Sequence, residues 1–242
     1  MNDRNPVIVA LDFPEARSAV AMAKQLAPHV GGFKVGLELL MGPGPATLAA
    51  VRELGLPVFA DAKLHDIPNT VERAARQLGS LGARWVTAHG SGGASMLEAA
   101  VKGLAEGAGG HPAGILAITV LTSLGPADLA ATGINGTPGR QVARISRLAA
   151  AAGVEGVVCA VKELGDVAQV APDLVRVTPG IRSADDSHHD QNRVADPTEA
   201  LSRGADWLVI GRSITRAPDP AATAARIEAL IREQLPLADG TT

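Results

Sequence analysis

The chain has 242 residues, 46% of them hydrophobic, and a formal net charge of −3. That suits one large α/β domain with a sizeable core, and it gives no basic excess for nucleic acid as the main partner. Aromatic residues make up 2% with no tyrosine, which argues against base-stacking platforms, and the single cysteine, Cys159, excludes an intrachain disulfide and a cysteine-rich metal site.

The polar start, residues 1–6, leads into Val7-Ile8-Val9-Ala10-Leu11, which Asp12 stops. Five apolar residues are too few for a signal-peptide core, and no apolar run approaches the roughly 18 to 20 residues that span a bilayer. A cytoplasmic protein with no membrane partner is expected. The first strand is assigned to 7–11. Further short apolar, β-branched runs follow at 32–36, 57–61, 84–88, 114–120, 154–160, 173–178 and 206–210. Near-continuous apolar runs are what strands of a parallel sheet look like, because both faces are buried. Between them, Val71, Ala74, Ala75 and Leu78 follow helical spacing, as do Val142, Ile145 and Leu148, and Ile227, Leu230 and Ile231. Asp219-Pro220 reads as an N-cap followed by proline at the first helical position. Gly55, Gly79, Gly82, Gly153 and Gly204 fall near helix ends.

Eight such alternations match a single (β/α)8 barrel, typically about 250 residues long. A doubly wound open sheet is the alternative, but it would more often carry a Gly-rich fingerprint after the first strand, where this chain has Asp12-Phe13-Pro14. The barrel is assigned to residues 1–235 and a frayed tail to 236–242.

In such barrels the active site lies at the C-terminal strand ends. Asp12, Lys34, Asp61, Lys63, His89, Thr122, Ser123, Arg182 and Arg212 all fall at those ends. The densest stretch is Asp61-Ala-Lys63-Leu-His-Asp66. Asp61 and Lys63 are two apart, so an extended strand points them to one side. Charges of alternating sign at the end of a buried strand are costly unless paired. Two acids, two lysines, hydroxyls and two arginines converging on one mouth suit a small anionic, phosphorylated molecule.

Asp61-Ala-Lys63-Leu-His-Asp66-Ile-Pro-Asn-Thr70 resembles the signature of the orotidine 5′-monophosphate decarboxylases. Ala10-Leu11-Asp12, Phe33-Lys34-Val35-Gly36, Val120-Leu121-Thr122-Ser123, Thr178-Pro179-Gly180-Ile181-Arg182 with Gln191 beyond it, and Ile210-Gly211-Arg212 resemble further markers, in the family's order. The resemblance implies loss of CO2 from orotidine 5′-monophosphate to give uridine 5′-monophosphate, without metal or organic cofactor, the last step of pyrimidine nucleotide synthesis. It also implies a homodimer in which Asp66 and Thr70 reach the partner's site.

Breaking the C6–carboxylate bond leaves negative charge on carbon, which without a cofactor must be met by prearranged charge. Lys63 is the candidate to face that carbanion and give it a proton. Lys34, Asp61, Lys63 and Asp66 then form an alternating catalytic array. The resemblance places Asp12 and Lys34 near the ribose, Thr122 and Ser123 near the pyrimidine, and Ile67, Thr70, Pro179 and Arg182 among the substrate contacts. It gives the phosphate to Arg212, the Gly211 N–H and Gln191. The polar stretch 181–193 reads as a lid. Some family members add a tyrosine to the phosphate grip, and this chain has none.

His65 is assigned to packing, His89-Gly-Ser-Gly-Gly to a tight turn, and His188-His189-Asp190 to solvated loop rather than metal. Two rivals remain: a metal-dependent sugar-phosphate decarboxylase or aldolase on the same barrel, and a non-catalytic nucleotide-binding barrel.

Overall fold

A computed structural model describes residues 5–181 and 196–234. The N-terminal residues 1–4, the segment 182–195 with Arg182, Gln191 and His188-His189-Asp190, and the tail from 235 lie outside the described residues.

Eight parallel strands close into a barrel in sequence order: β1 Val7–Leu11, β2 Gly32–Val35, β3 Val58–Leu64, β4 Trp85–His89, β5 Gly114–Ile118, β6 Gly156–Val158, β7 Val175–Pro179 and β8 Trp207–Ile210. The helices on the outside are α1 Ala16–Leu26, α2 Leu37–Met41, α3 Ala46–Arg52, α4 Pro68–Ser80, α5 Ala94–Ala108, α6 Pro126–Ala131, α7 Pro138–Ala151, α8 Leu164–Val170, α9 Pro197–Ser202, α10 Arg212–Thr215 and α11 Pro220–Gln234. Every expected strand is present and the open sheet is excluded, because β1 pairs with both β2 and β8. Parallel strands joined by crossover helices bury both strand faces, which is why the runs are apolar throughout.

The burial divides into two cores. Ile8, Ala10, Phe59, Trp85, Leu116, Val177 and Val209 fill the barrel interior. The alternate residues, such as Val9, Leu11, Ala60 and Val86, pack outward against the helices. The period of two assigns each strand residue to one core or the other. Fully burying a side chain such as Phe59 contributes about 1.5–3 kcal/mol.

The N-terminal end of the barrel is closed by Trp85 and Trp207, edge to face at 5.1 Å. Glu155 ties this end, accepting from Arg84 at 2.7 and 2.6 Å and from Trp85 Nε1 at 2.9 Å. β6, at Gly156–Val158, is shorter than the expected 154–160. Gly79 falls in the last turn of α4, near the helix end as expected, where a β-carbon would stand 2.7 Å from the Leu104 carbonyl oxygen of α5. Gly103 and Gly107 of α5 meet the α4 backbone in the same way. Asp219 caps α11 as expected, its Oδ1 accepting from Ala222 N–H at 3.0 Å.

The largest departure is in β3, expected to end at Asp61 but running to Leu64. Its pairing with β4 is regular at Phe59↔Trp85 and Ala60↔Val86, then resumes only at Leu64↔Ala88. Residues 61–63 therefore stand opposite Thr87 alone. Such bulges are over-represented at barrel rims and next to active sites, and this one could not be read from an apolar run.

Candidate functional site

The parity that sends Ala10, Phe59 and Val209 inward sends Asp12, Asp61 and Gly211 inward one step further, at the mouth. Lys34 of β2, paired with Phe59 in register, faces the same space. A cavity of about 280 Å³ opens there.

One wall is charged. Lys63 Nζ donates to Asp61 Oδ2 at 2.6 Å. Lys34 Nζ stands 3.4 Å from the same oxygen and 3.3 Å from Asp12 Oδ1. The order Asp12, Lys34, Asp61, Lys63 alternates in sign across β1, β2 and β3. Asp61 is only 8% exposed. Burial alone would push its carboxyl pKa up. The Lys34 and Lys63 charges, with hydrogen bonds from Lys63 and Thr87, outweigh burial and hold it below the ordinary value. Thr87 Oγ1 donates to Asp61 Oδ1 at 3.0 Å and accepts from the Lys63 N–H at 2.9 Å.

Lys63 has φ 50°, and among the described residues no other non-glycine has positive φ. A lysine in that region is held there by its surroundings, at a cost of order 1–3 kcal/mol.

The β8 end, with Gly211, Arg212 and Ser213, adjoins the Asp12 end of this wall, because β8 pairs with β1. The floor of the cavity is apolar, built by Phe59, Ile118, Val158 and Val209, and Thr122 and Pro179 stand at its side. Cys159 lies at this floor and is buried, which pushes its thiol up to about 12, so it is an inert small core residue.

Of the expected site residues, the fold gathers Asp12, Lys34, Asp61, Lys63, Thr122, Pro179, Gly211 and Arg212 around this cavity. Ser123 is exposed and does not line it, because the chain turns away after Thr122. Asp66 does not join the array of its own chain. It is exposed, and its Oδ1 accepts the Ile67 N–H at 2.7 Å. Ile67 and Thr70 are exposed as well. Arg182 and Gln191 fall outside the described residues.

His65 stacks on His89 with ring centroids 5.3 Å apart. Burial, then the nearby His65 and Lys63, push the His89 pKa down against the pull of Asp61. Neither imidazole lines the cavity. The expected tight turn after β4 is a single 3-10 turn at Gly90–Gly92.

Sequence reasoning singles out neither Thr87 nor the apolar floor. The floor was legible by counting two residues back from each charged strand end. Thr87 gives no such signal, since a β-branched residue in a strand reads as filler.

Residues 5–227 match the model of the orotidine 5′-phosphate decarboxylase / HUMPS family. The chain is 48% identical over 230 residues to an orotidine 5′-phosphate decarboxylase of Anaeromyxobacter sp. (strain K), covering 95% of this chain and 99% of that protein. It is 46% identical over 230 residues to the enzyme of that name from Thermobifida fusca, covering 94% and 96%. Among solved structures, the orotidine 5′-phosphate decarboxylase of Lactobacillus acidophilus superposes with a TM-score of 0.82 at 34% identity, covering 93% of this chain and 98% of that one. With that coverage across the whole barrel and its mouth, the chain belongs to the orotidine 5′-phosphate decarboxylase / HUMPS family.

Proposed function

We propose that this protein decarboxylates orotidine 5′-monophosphate to uridine 5′-monophosphate, the closing step of pyrimidine nucleotide synthesis, without metal or organic cofactor. The observation that carries the reading is the Asp12–Lys34–Asp61–Lys63 array lining the cavity, with Arg212 at the β8 end beyond Asp12. A nucleotide monophosphate has the matching polarity. Its phosphate suits the guanidinium and the Gly211 N–H, its ribose hydroxyls suit Asp12 and Lys34, and its pyrimidine suits the apolar floor beside Thr122.

The chemistry follows from the charges. The C6–carboxylate bond breaks, CO2 leaves, and the electron pair stays on C6. The Lys63 ammonium stabilises that carbanion and then transfers a proton to it, and the amine regains a proton from solvent. Asp61, kept ionised by two lysines and a hydroxyl, fixes the ammonium. An arginine at position 63 would hold its proton too tightly.

The proposal extends to a cytoplasmic homodimer in which Asp66 and Thr70 complete the partner's site. Its support is the exposure of Asp66 together with apolar side chains around the mouth: Leu37, Met41 at 76%, Ile67 at 66% and Leu121. Among the described residues, no helix is long and apolar enough to cross a membrane. Gln191 is proposed to add to the phosphate grip from the 181–193 lid, with Arg182 a further substrate contact. Sedimentation equilibrium returning a monomer at assay concentration would remove the dimer from this picture.

The test is CO2 release from orotidine 5′-monophosphate with EDTA present. Full activity in EDTA with loss of turnover in Lys63→Ala, uridine 5′-monophosphate binding being kept, is the expected outcome. Abolition by EDTA would favour the metal-dependent rival. Nucleotide binding without CO2 release by the unmodified protein would favour a non-catalytic barrel.

A further inference from the structure

The break in the β3–β4 ladder raises a question about what holds Lys63. Between Ala60↔Val86 and Leu64↔Ala88, three residues of β3 face one residue of β4. The backbone groups of 61–63 thus lose their regular partners in a region where an unpaired N–H is costly. Lys63 also sits at φ 50°, a conformation that would relax if nothing restrained it. The restraint visible on both counts is one side chain, that of Thr87.

Thr87 is 0% exposed. Its Oγ1 lies 2.9 Å from Lys63 N and 3.0 Å from Asp61 Oδ1. The roles of these contacts are fixed by chemistry: an amide N–H only donates, so the hydroxyl accepts there, and an ionised carboxylate only accepts, so the hydroxyl proton points to Asp61. One hydroxyl therefore spends its proton on the carboxylate and a lone pair on the lysine backbone. By contrast, the buried hydroxyls of Ser146 and Thr178 have no hydrogen-bond partner among the described residues. Burial of a threonine does not by itself recruit such a pair of bonds.

We propose that Thr87 is a positioning residue for the decarboxylation, its hydroxyl locking the Lys63 backbone to the Asp61 carboxylate so that the ammonium is delivered to one point of the cavity. This rests on the reading that Lys63 and Asp61 carry the chemistry. Asp61 then holds Lys63 at both ends: directly through Nζ at 2.6 Å, and through Thr87 at the backbone. Neither bond of Thr87 reaches the cavity, since Thr87 does not line it. Its effect belongs to turnover and not to nucleotide affinity.

The experiment compares Thr87→Val, of nearly the same shape without a hydroxyl, with Thr87→Ser, which keeps the hydroxyl and drops the methyl. Both are measured for kcat, KM, uridine 5′-monophosphate Kd and thermal midpoint, with Lys63→Ala alongside. Thr87→Val is expected to lower kcat about 10- to 100-fold, the scale of an ångström-level misplacement, with Kd changed less than about 3-fold. Thr87→Ser is expected to restore kcat to within about 3-fold of the unmodified enzyme. Unchanged kcat in Thr87→Val, equal loss in both variants, or a loss confined to KM and Kd overturns the proposal. Should the valine variant not fold, Thr87→Cys, with its weak donor and acceptor, takes its place under the same outcomes. Lys63→Ala separates the two levels. If it turns over normally, the catalytic reading itself fails. If it is inactive while Thr87→Val is normal, only the role of Thr87 falls.

Discussion

Asp61→Asn removes one charge and keeps the shape, and the structure sets the size of the effect. Asp61 Oδ2 lies 2.6 Å from Lys63 Nζ and 3.4 Å from Lys34 Nζ in a site where Asp61 is 8% exposed. Deleting one partner of a buried pair costs about 3–5 kcal/mol, because the charge left behind stays desolvated. Two features reduce that here. The Lys63 side chain is 30% exposed, and Lys34 keeps Asp12 at 3.3 Å. About 2–3 kcal/mol is therefore expected, which for a chain of this size lowers Tm by roughly 5–10 °C. The remaining Lys34 and Lys63 would face an amide with one acceptor edge, so the ammonium loses its fixed position and turnover falls by about 100-fold or more. Scanning calorimetry at neutral pH and CO2 release from the orotidine nucleotide measure the two effects. A Tm equal to or above that of the unmodified protein would refute the reasoning, since the array would then be a net strain that Asp61 does not relieve.

Arg212→Ala should lower kcat/KM about 10- to 100-fold, the scale of a charge-assisted hydrogen bond. With orotidine, which lacks the phosphate, the same variant should lose nothing, and an equal loss on both substrates would remove the phosphate from Arg212. The acid limb of stability follows from the lowered Asp61 pKa. The unfolded group titrates near 3.8 and the folded one below it. Its contribution is present above about pH 3.8 and is lost as pH falls through the folded value. The stability gap between the unmodified protein and Asp61→Asn should thus shrink between pH 4 and pH 2.5 in urea titrations, and a gap constant over that window would contradict the assignment. Gly103→Ala places a β-carbon against the Glu72 carbonyl oxygen of α4. It should cost about 1–3 kcal/mol in spite of alanine's helix preference, and an increased urea midpoint would show that α4 and α5 have room to part.

What the sequence made legible, and what it hid, divides along one physical line. Strand positions were readable because a parallel barrel buries both faces of every strand, so each leaves an apolar run whatever its neighbours are. Asp12, Lys34 and Asp61 were readable because a charge ending such a run is costly unless it has work at the mouth. The bulge at 61–63, the φ of Lys63 and the two hydrogen bonds of Thr87 belong to the pairing of β3 with β4, which no single strand records. Asp66 is hidden for a related reason. The segment resemblance ties it to the array, yet in its own chain it turns outward onto the Ile67 N–H.

The hidden features matter most where the reaction demands precision. On a regular strand, Lys63 would sit about 6.6 Å above Asp61 along the axis, on a long flexible side chain free to settle at many points of the mouth. Substrate polarity alone would then have to organise the ammonium at each turnover. Here Thr87 pins the backbone end of Lys63 and Asp61 pins its charged end, so the ordering cost is met when the barrel folds and not when the nucleotide binds. The cofactor-free decarboxylation proposed for this protein has little else with which to stabilise a carbanion. It follows that the β3–β4 irregularity, which looks like a defect in the ladder, is where the fold most directly serves the chemistry.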